Sequence, residues 1–175
     1  FFGKAAHAAA APDMGVNALD AVLNTFTSIN ALRQQVKSSA RIHGIISNGG
    51  EAPNIIPEYT NAKFYVRAQS VVYLEALVEK VIRCAEFGAL AAGCTMKYND
   101  FEASYKNLIT NKILSDTYTK ALKELGVKPV LECRENFGSL DAGDVSHVVA
   151  TIHPYHKIAP KGTAAHTTEF ANFAG

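Results

Sequence analysis

Two helical patterns of apolar residues, with two short strand-like runs between them, constrain the fold of this chain most. The first pattern predicts a helix from about Ala18 to Val36, which Asn17 caps, and the second predicts a helix from Ser70 to Gly93. The runs Arg41–Ser47 and Lys63–Ala68 are rich in β-branched and aromatic residues and predict strands. Helix, strand, strand and helix therefore follow one another within about 75 residues.

A strand-like segment also precedes these four elements, and another follows them. Phe1–Ala11 is apolar and rich in small residues, and Cys94–Tyr98 is a short β-rich run after the second helix. The order β-α-β-β-α-β is that of the ferredoxin-like plan, in which two helices cover one face of a four-stranded antiparallel sheet. The sequence therefore predicts an α+β fold of this kind.

The rest of the chain has a different character. Asn111 caps a third predicted helix, which Gly126 ends, and a strand over Val127–Glu132 follows. A helix followed by a strand and long loops is typical of α/β domains. We expect two domains, residues 1–107 and residues 108–175.

The charge balance restricts the class of partner. Seventeen basic residues oppose sixteen acidic ones, which leaves a net charge of +1 and argues against a dedicated nucleic-acid binder. RNA-recognition domains share the predicted element order, and Lys63–Val66 places aromatics on a strand, but the near-neutral charge disfavours that alternative. No apolar run reaches the roughly 20 residues that span a membrane, so we expect no nucleic-acid or membrane partner.

The cysteines predict a cellular location. The chain has three, Cys84, Cys94 and Cys133, and no two lie close together in sequence. Such spacing does not predict a disulfide framework or a cysteine-type zinc site. We expect a reduced, cytoplasmic protein.

Histidines concentrate towards the end of the chain. Four of the six are His147, His153, His156 and His166, with several carboxylates nearby in sequence. Imidazoles and carboxylates are ligands that zinc or manganese accepts, but no pair has the tight spacing of a helical zinc motif. Spacing alone therefore leaves open a metal site or a set of surface and hydrogen-bonded histidines.

Four other positions are candidates for binding or catalysis. His7 lies in a row of alanines and is placed to stabilise an oxyanion or simply to face solvent. Asn54 lies in a loop, where it binds a ligand or stabilises a turn, and Arg67 lies on a strand face opposite the core, where an anion could bind. The run Gly138–Asp141 is able to surround an anion or to form an ordinary capped turn.

Three stretches of sequence, in order along nearly the whole chain, resemble a known family. They are Phe2–Ala9 (continued by Pro12 and Gly15–Ala21), Ile42–Pro57 (continued by Arg67-Ala68), and Gly138–Ser146 (continued by Ile152–Pro154 and Ala165–Thr167). Together they are similar to the di-zinc aminoacylase/carboxypeptidase metallopeptidases, in the amidohydrolase branch. That branch includes p-aminobenzoyl-glutamate hydrolase and dipeptidases that act on Xaa-Arg, Xaa-Lys or β-alanyl-lysine.

The resemblance implies a zinc-dependent α/β catalytic domain that is interrupted by a lid domain, which also forms the homodimer interface. It implies two zinc ions per site, with manganese or cobalt as alternatives, and small peptides or N-acyl amino acids as substrates. His7 then stabilises the oxyanion in the partner subunit's site, Asn54 and Arg67 lie at the substrate carboxylate, and His166 is a metal ligand. The pocket residues that the resemblance implies are Gly138, Ser139 and Asp141.

The family's other metal ligands and its catalytic glutamate lie before the lid, in a region that has no counterpart in this sequence. We therefore expect a fragment of a metal-dependent amide-bond hydrolase that uses metal-activated water. We expect the 175-residue chain alone to be inactive and to bind no zinc stably. The alternative is a non-catalytic ferredoxin-like module that serves dimerisation.

Overall fold

The computed structural model describes residues 1–128 and 140–174. Its strands are β1 (Arg41–Asn48) and β2 (Asn61–Arg67). Its helices are α1 (Ala18–Leu32), α2 (Val71–Ala92), α3 (Lys112–Glu124), α4 (Ala142–Ser146) and α5 (Thr168–Ala171). Short 3₁₀ turns cover Pro12–Met14 and Arg33–Gln35.

The helix ends follow local sequence signals. The Asn17 side chain accepts a hydrogen bond from the Leu19 N–H at 2.9 Å, which confirms it as the cap of α1. Gly93 ends α2 with φ of +69°, a left-handed conformation that glycine adopts at little cost. The Asn111 side chain accepts from the Leu114 N–H at 3.0 Å and caps α3. These three predictions from sequence are therefore confirmed.

The two central strands pair antiparallel, as their sequences predict. Arg41 lies opposite Arg67, and Ile45 lies opposite Lys63. The register shifts beyond Ile46, at the end of β1. Between the strands runs the Asn48–Pro57 loop, which carries one of the candidate residues.

The flanking segments differ from the two outer strands that the sequence predicts. Phe2 forms single antiparallel bridges with Tyr59 and with Thr95, and its N–H donates to the Thr95 carbonyl at 2.8 Å. Because the residues of the first segment pair with several different partners, no ladder of consecutive pairs builds up. Over residues 1–128 and 140–174, the sheet consists of the two strands β1 and β2. A mixed helix and strand fold is confirmed, and the complete ferredoxin-like sheet stays a prediction.

Both long helices of the first part of the chain contribute to its core. Ile29 of α1, Ile42 of β1 and Leu77 of α2 belong to one cluster of buried side chains. The rings of Phe26 and Phe64 also meet, with centroids 4.8 Å apart. The face of the hairpin that carries Ile42 and Phe64 therefore packs on the helices, and we call it the inner face. The opposite, outer face carries polar and aromatic side chains.

The helices α1 and α2 approach each other very closely at one point. A Cβ atom added to Gly88 would lie 2.5 Å from the Ala21 carbonyl oxygen and even closer to Thr25 Oγ1. The Thr25 hydroxyl donates to that same carbonyl at 2.8 Å, so its polar atom is satisfied although it is buried. Only a residue without a side chain fits this contact.

The described residues form two compact units: the first contains residues 1–107 and Leu140, and the second contains residues 108–128 and 141–174. In the second unit, the Ile109 N–H donates to Ser146 Oγ at 2.8 Å, and the Asn111 N–H donates to the Thr151 carbonyl at 2.8 Å. These bonds join the start of α3 to α4 and to the segment after it. Across residues 1–128 and 140–174, none of the helices is both long and apolar enough to cross a lipid bilayer.

Candidate functional site

The structure brings two of the candidate residues side by side. His7 forms an antiparallel bridge with Ile55, and the Ala8 N–H donates to the Asn54 carbonyl at 2.9 Å. The Ile56 N–H donates to the Ala6 carbonyl, also at 2.9 Å. His7 and Asn54 thus lie on adjacent backbone segments although they are 47 positions apart in sequence. Both residues are exposed.

The His7 ring is oriented by its own turn. Its Nδ1 atom accepts hydrogen bonds from the backbone N–H groups of Ala9 at 3.3 Å and Ala10 at 3.2 Å. Because Nδ1 is an acceptor, the neutral ring carries its proton on Nε2. The exposed edge of His7 is therefore a hydrogen-bond donor, as an oxyanion requires.

An open cavity of about 400 Å³ lies beside this pair of segments. Ala8, Ile55 and Pro57 line it, together with the glycine turn of the Asn48–Pro57 loop. Gly50 has φ of +112°, and a Cβ there would lie 2.7 Å from Pro57 Cγ. The Asn48 side chain accepts from the Gly50 N–H at 3.0 Å and stabilises the turn. Gly50 therefore lets the loop turn back tightly against Pro57, beside the cavity that Ala8 also lines.

Arg67 lies on the outer face of the hairpin, as its alternation in sequence predicts. It is half-buried, and its Cζ atom lies 5.5 Å from the centroid of the Tyr65 ring. Its partner across the strands is Arg41, which donates to the Ala40 carbonyl at 2.7 Å. The Arg67 cation is therefore close to the face of the Tyr65 ring.

Tyr65 and Glu102 form a hydrogen bond that the sequence did not predict. The Tyr65 hydroxyl donates to Glu102 Oε1 at 2.6 Å. This hydrogen bond, followed by some burial and the negative charge of Glu102, raises the pKa of Tyr65 above its usual value of 10.0, and the charge of Arg67 opposes the rise. Tyr65 is two residues before Arg67 on the same strand face, which is the one sequence signal that could have identified it.

The candidates in the second unit are separate from one another along the chain. Asp141 is the N-cap of α4, and its Oδ1 accepts from the Ala142 N–H at 2.9 Å. His166 is exposed and has φ of +62°, the one positive value recorded for a non-glycine residue over 1–128 and 140–174. Gly138 and Ser139 lie outside the described residues.

Two other histidines of the second unit contact tyrosines. His156 Nε2 lies 2.5 Å from the Tyr118 hydroxyl, and the rings of His153 and Tyr155 meet edge to face with centroids 4.8 Å apart. Within the described part of the chain, no three histidine, cysteine, aspartate or glutamate side chains come together in a way that could hold a metal ion. These histidines therefore have partners other than a shared metal.

Comparison with known proteins gives the family. Residues 1–111 match the M20 family of peptidase dimerisation domains. The chain is 45% identical to a Xaa-Arg dipeptidase of Mus musculus over its whole length, and that alignment spans 41% of the relative. It is 32% identical over 127 residues to a component of the p-aminobenzoyl-glutamate hydrolase of Escherichia coli, covering 72% of this chain and 26% of that protein.

A solved structure shares the fold. An aminobenzoyl-glutamate utilization protein of Klebsiella pneumoniae superimposes with a TM-score of 0.66 and 20% identity, over 81% of this chain and 36% of that one. The chain thus spans about two fifths of the length of the dipeptidase that it matches. The resemblance stated from sequence motifs is confirmed, and the chain belongs to the M20 peptidase family through its dimerisation domain.

Proposed function

We propose that this chain contributes the lid and the dimer interface of an amide-bond hydrolase that cleaves dipeptides or N-acyl amino acids. The relatives' names, a Xaa-Arg dipeptidase and a p-aminobenzoyl-glutamate hydrolase, support this substrate class. The single observation that carries the proposal is the orientation of His7, whose Nδ1 accepts two backbone N–H groups. Its fixed Nε2–H donor suits a developing negative charge on a substrate oxygen.

In this proposal His7 acts in the active site of the partner subunit. Hydrolysis of an amide passes through a tetrahedral intermediate whose oxygen carries negative charge. The Nε2–H of His7 donates to that oxygen, and no proton has to move because the required tautomer is already present. The turn over Ala9 and Ala10 is what holds the proton at that atom.

Asn54 and Arg67 bind the carboxylate end of the substrate in the same proposal. The Asn54 carbonyl accepts from the N–H of Ala8, the residue that follows His7, so the two candidate residues lie on adjacent backbone segments. Arg67 presents a planar guanidinium, which binds carboxylates in a bidentate manner. We further propose that Gly138, Ser139 and Asp141 line the substrate pocket, although the Asp141 side chain already caps a helix.

Zinc is the metal that we propose for the complete site, with manganese or cobalt as alternatives. His166 is exposed and supplies one imidazole ligand, whereas a catalytic zinc ion commonly has about three protein ligands. Residues 1–128 and 140–174 contain no group of three ligating side chains, so they do not by themselves fit a zinc ion. No step of the reaction is therefore assigned to the metal.

The dimer interface that we propose is the outer edge of β1. In the described sheet β1 has one neighbour, β2, so its other edge is available for pairing. Ile45 is 62% exposed and Ile46 is 39% exposed on this strand. An edge strand with exposed apolar side chains suits pairing with a second copy of the same chain. A cytoplasmic location stays a prediction from the cysteine content.

Sedimentation of the chain tests the interface. We expect a homodimer, and we expect the double variant Ile45→Lys/Ile46→Lys to be monomeric because two charges then lie at the pairing edge. Val72→Lys is the matched control, since Val72 is an apolar side chain that is 73% exposed on α2 and is not part of the proposed edge. A monomeric parent chain, or a double variant that dimerises as the parent does, contradicts the proposed edge.

Steady-state kinetics test the catalytic role of His7 in the enzyme that carries this chain. With a Xaa-Arg dipeptide as substrate, we expect His7→Ala to lower kcat by about 10²–10³, the usual effect of losing one oxyanion donor, with little change in KM. Glu86→Ala is the control, because Glu86 is exposed on α2 and belongs neither to the proposed site nor to the edge of β1. An unchanged kcat in the His7 variant would show that this ring has no part in the chemical step.

The alternative function is a module that serves dimerisation without catalysis. The match to a dimerisation domain over residues 1–111 is the observation that favours it. A protein that dimerises through β1 but hydrolyses no dipeptide or N-acyl amino acid with any of the three metals would support this alternative. Hydrolysis that depends on His7 would exclude it.

A further inference from the structure

The outer face of the hairpin carries a cluster of aromatic and charged side chains centred on Tyr65. The guanidinium Cζ of Arg67 lies 5.5 Å from the centroid of the Tyr65 ring. Phe101 meets the same ring edge to face, with centroids 5.4 Å apart. The Tyr65 hydroxyl donates to Glu102 at 2.6 Å. One tyrosine thus contacts the cation on its own strand and two residues of the segment that follows α2.

The contact with Arg67 is favourable for an electrostatic reason. The face of an aromatic ring carries partial negative charge, and a guanidinium within about 6 Å of its centroid is attracted to it. Tyr65 and Arg67 are two residues apart on β2, so their side chains leave the strand on the same face. The ring therefore restricts the directions in which the long arginine side chain can extend.

Glu102 and Phe101 in turn restrict the tyrosine. A phenol that donates to a carboxylate forms a charge-assisted hydrogen bond, which is stronger than a neutral one. Phe101 packs on the ring edge and also lies 5.5 Å from the Lys63 ammonium group. The ring of Tyr65 is therefore held at its hydroxyl end and at its edge, although 42% of the residue is exposed.

We propose that Tyr65 is a positioning residue for Arg67, and that Glu102 fixes Tyr65 in the orientation that this requires. The inference rests on the proposed function, in which Arg67 binds the substrate carboxylate. It adds two residues to that site, neither of which need touch substrate. Arginine has many rotamers, so an arginine that is already oriented loses less conformational entropy when a carboxylate binds.

Order at the Arg67 side chain is the direct readout. In the ¹⁵N-labelled chain, the Nε–Hε signal of Arg67 is assigned with the variant Arg67→Lys, and its heteronuclear NOE is measured. We expect a higher NOE than for Arg83, an exposed arginine on α2. Tyr65→Leu should lower the Arg67 value to that of Arg83, whereas Tyr65→Phe, which keeps the ring, should preserve most of it.

Glu102→Ala provides a second variant in case Tyr65→Leu does not fold. We expect it to lower the Arg67 NOE part of the way, because the Tyr65 ring loses its anchor. Tyr98→Leu is the matched control, since Tyr98 is 68% exposed and should leave Arg67 unchanged. An Arg67 NOE that stays at the parent value in a folded Tyr65→Leu chain, or in Glu102→Ala, overturns the proposal.

A titration with glycyl-arginine separates this inference from the proposed function. We expect Tyr65→Leu to raise the Kd of this probe several-fold and Tyr65→Phe to raise it much less. If Arg67→Lys binds the probe as tightly as the parent chain does, the proposed carboxylate role of Arg67 is wrong. The NOE comparison still decides whether Tyr65 orients Arg67, because it requires no bound substrate.

Discussion

The backbone N–H of Ala10 donates to Nδ1 of His7 across 3.2 Å, so a turn of small residues determines which ring nitrogen of the histidine carries the proton. The N–H of Ala9 reinforces this bond at 3.3 Å. Alanine side chains leave room for the chain to fold back over the ring. The tautomer of His7 is therefore a consequence of the local backbone.

This arrangement predicts the tautomer that NMR should detect. At a pH where His7 is neutral, we expect Nδ1 to show the shift of an unprotonated nitrogen and Nε2 that of a protonated one. A long-range ¹H–¹⁵N correlation spectrum measures both. A His7 ring with its proton on Nδ1 would be incompatible with the bonds from Ala9 and Ala10 and with the proposed oxyanion role.

Substitution of Gly88 should destabilise the first unit. The new methyl group of Gly88→Ala would overlap the Ala21 carbonyl and Thr25, and such overpacking costs about 1–3 kcal/mol. Because the overlap includes backbone atoms, which cannot move aside like the end of a side chain, we expect a cost above the lower end of this range, and the gain of about 1 kcal/mol from better helix propensity offsets only part of it. We expect a net loss in the free energy of unfolding, measured by urea denaturation.

Glu86→Ala is the matched control for that experiment, because Glu86 is exposed on the same helix. Its effect should stay within about 0.5 kcal/mol. If Gly88→Ala were as stable as the parent chain, the two helices would not approach as closely as the structure has them.

The caps of α1 and α2 should respond differently to the same kind of change. Asn17→Ala removes the bond to the Leu19 N–H and should lower the free energy of unfolding by about 1 kcal/mol. Ser70 occupies the N-cap of α2 without a side-chain cap bond, so Ser70→Ala should cost a few tenths of a kcal/mol at most, as an order-of-magnitude estimate. Equal losses in the two variants would contradict the observed capping.

The bond between Tyr65 and Glu102 predicts a pH dependence at the alkaline end. The pKa of Tyr65 is raised in the folded chain, so the neutral hydroxyl contributes stability that is fully present below pH 10.0 and is lost as the pH rises through the folded-state pKa. We expect an ultraviolet titration to detect one tyrosine that ionises late. Glu102→Ala should shift that ionisation to lower pH, and a titration curve identical to that of the parent would argue against the bond.

Much of the secondary structure is predictable from sequence because its causes are local. The apolar period of α2 and the left-handed Gly93 at its end lie within one stretch of chain, and so do Asn17 and the helix it caps. The two outer strands depend instead on contacts between distant segments, so their extent cannot be read from local sequence. A β-strand requires a partner that pairs with it over several consecutive residues. Phe2 instead forms one isolated bridge with each of two different segments.

The motifs of the sequence alone identified the family, the candidate residues His7, Asn54, Arg67 and His166, and both long helices. The tertiary structure decided which of these residues meet. Asn54 reaches His7 because two distant backbone segments pair, and Glu102 reaches Tyr65 because the segment after α2 returns over the hairpin. Such contacts join residues 37 or more positions apart, and no local pattern encodes them, since they form only when the core brings the segments together.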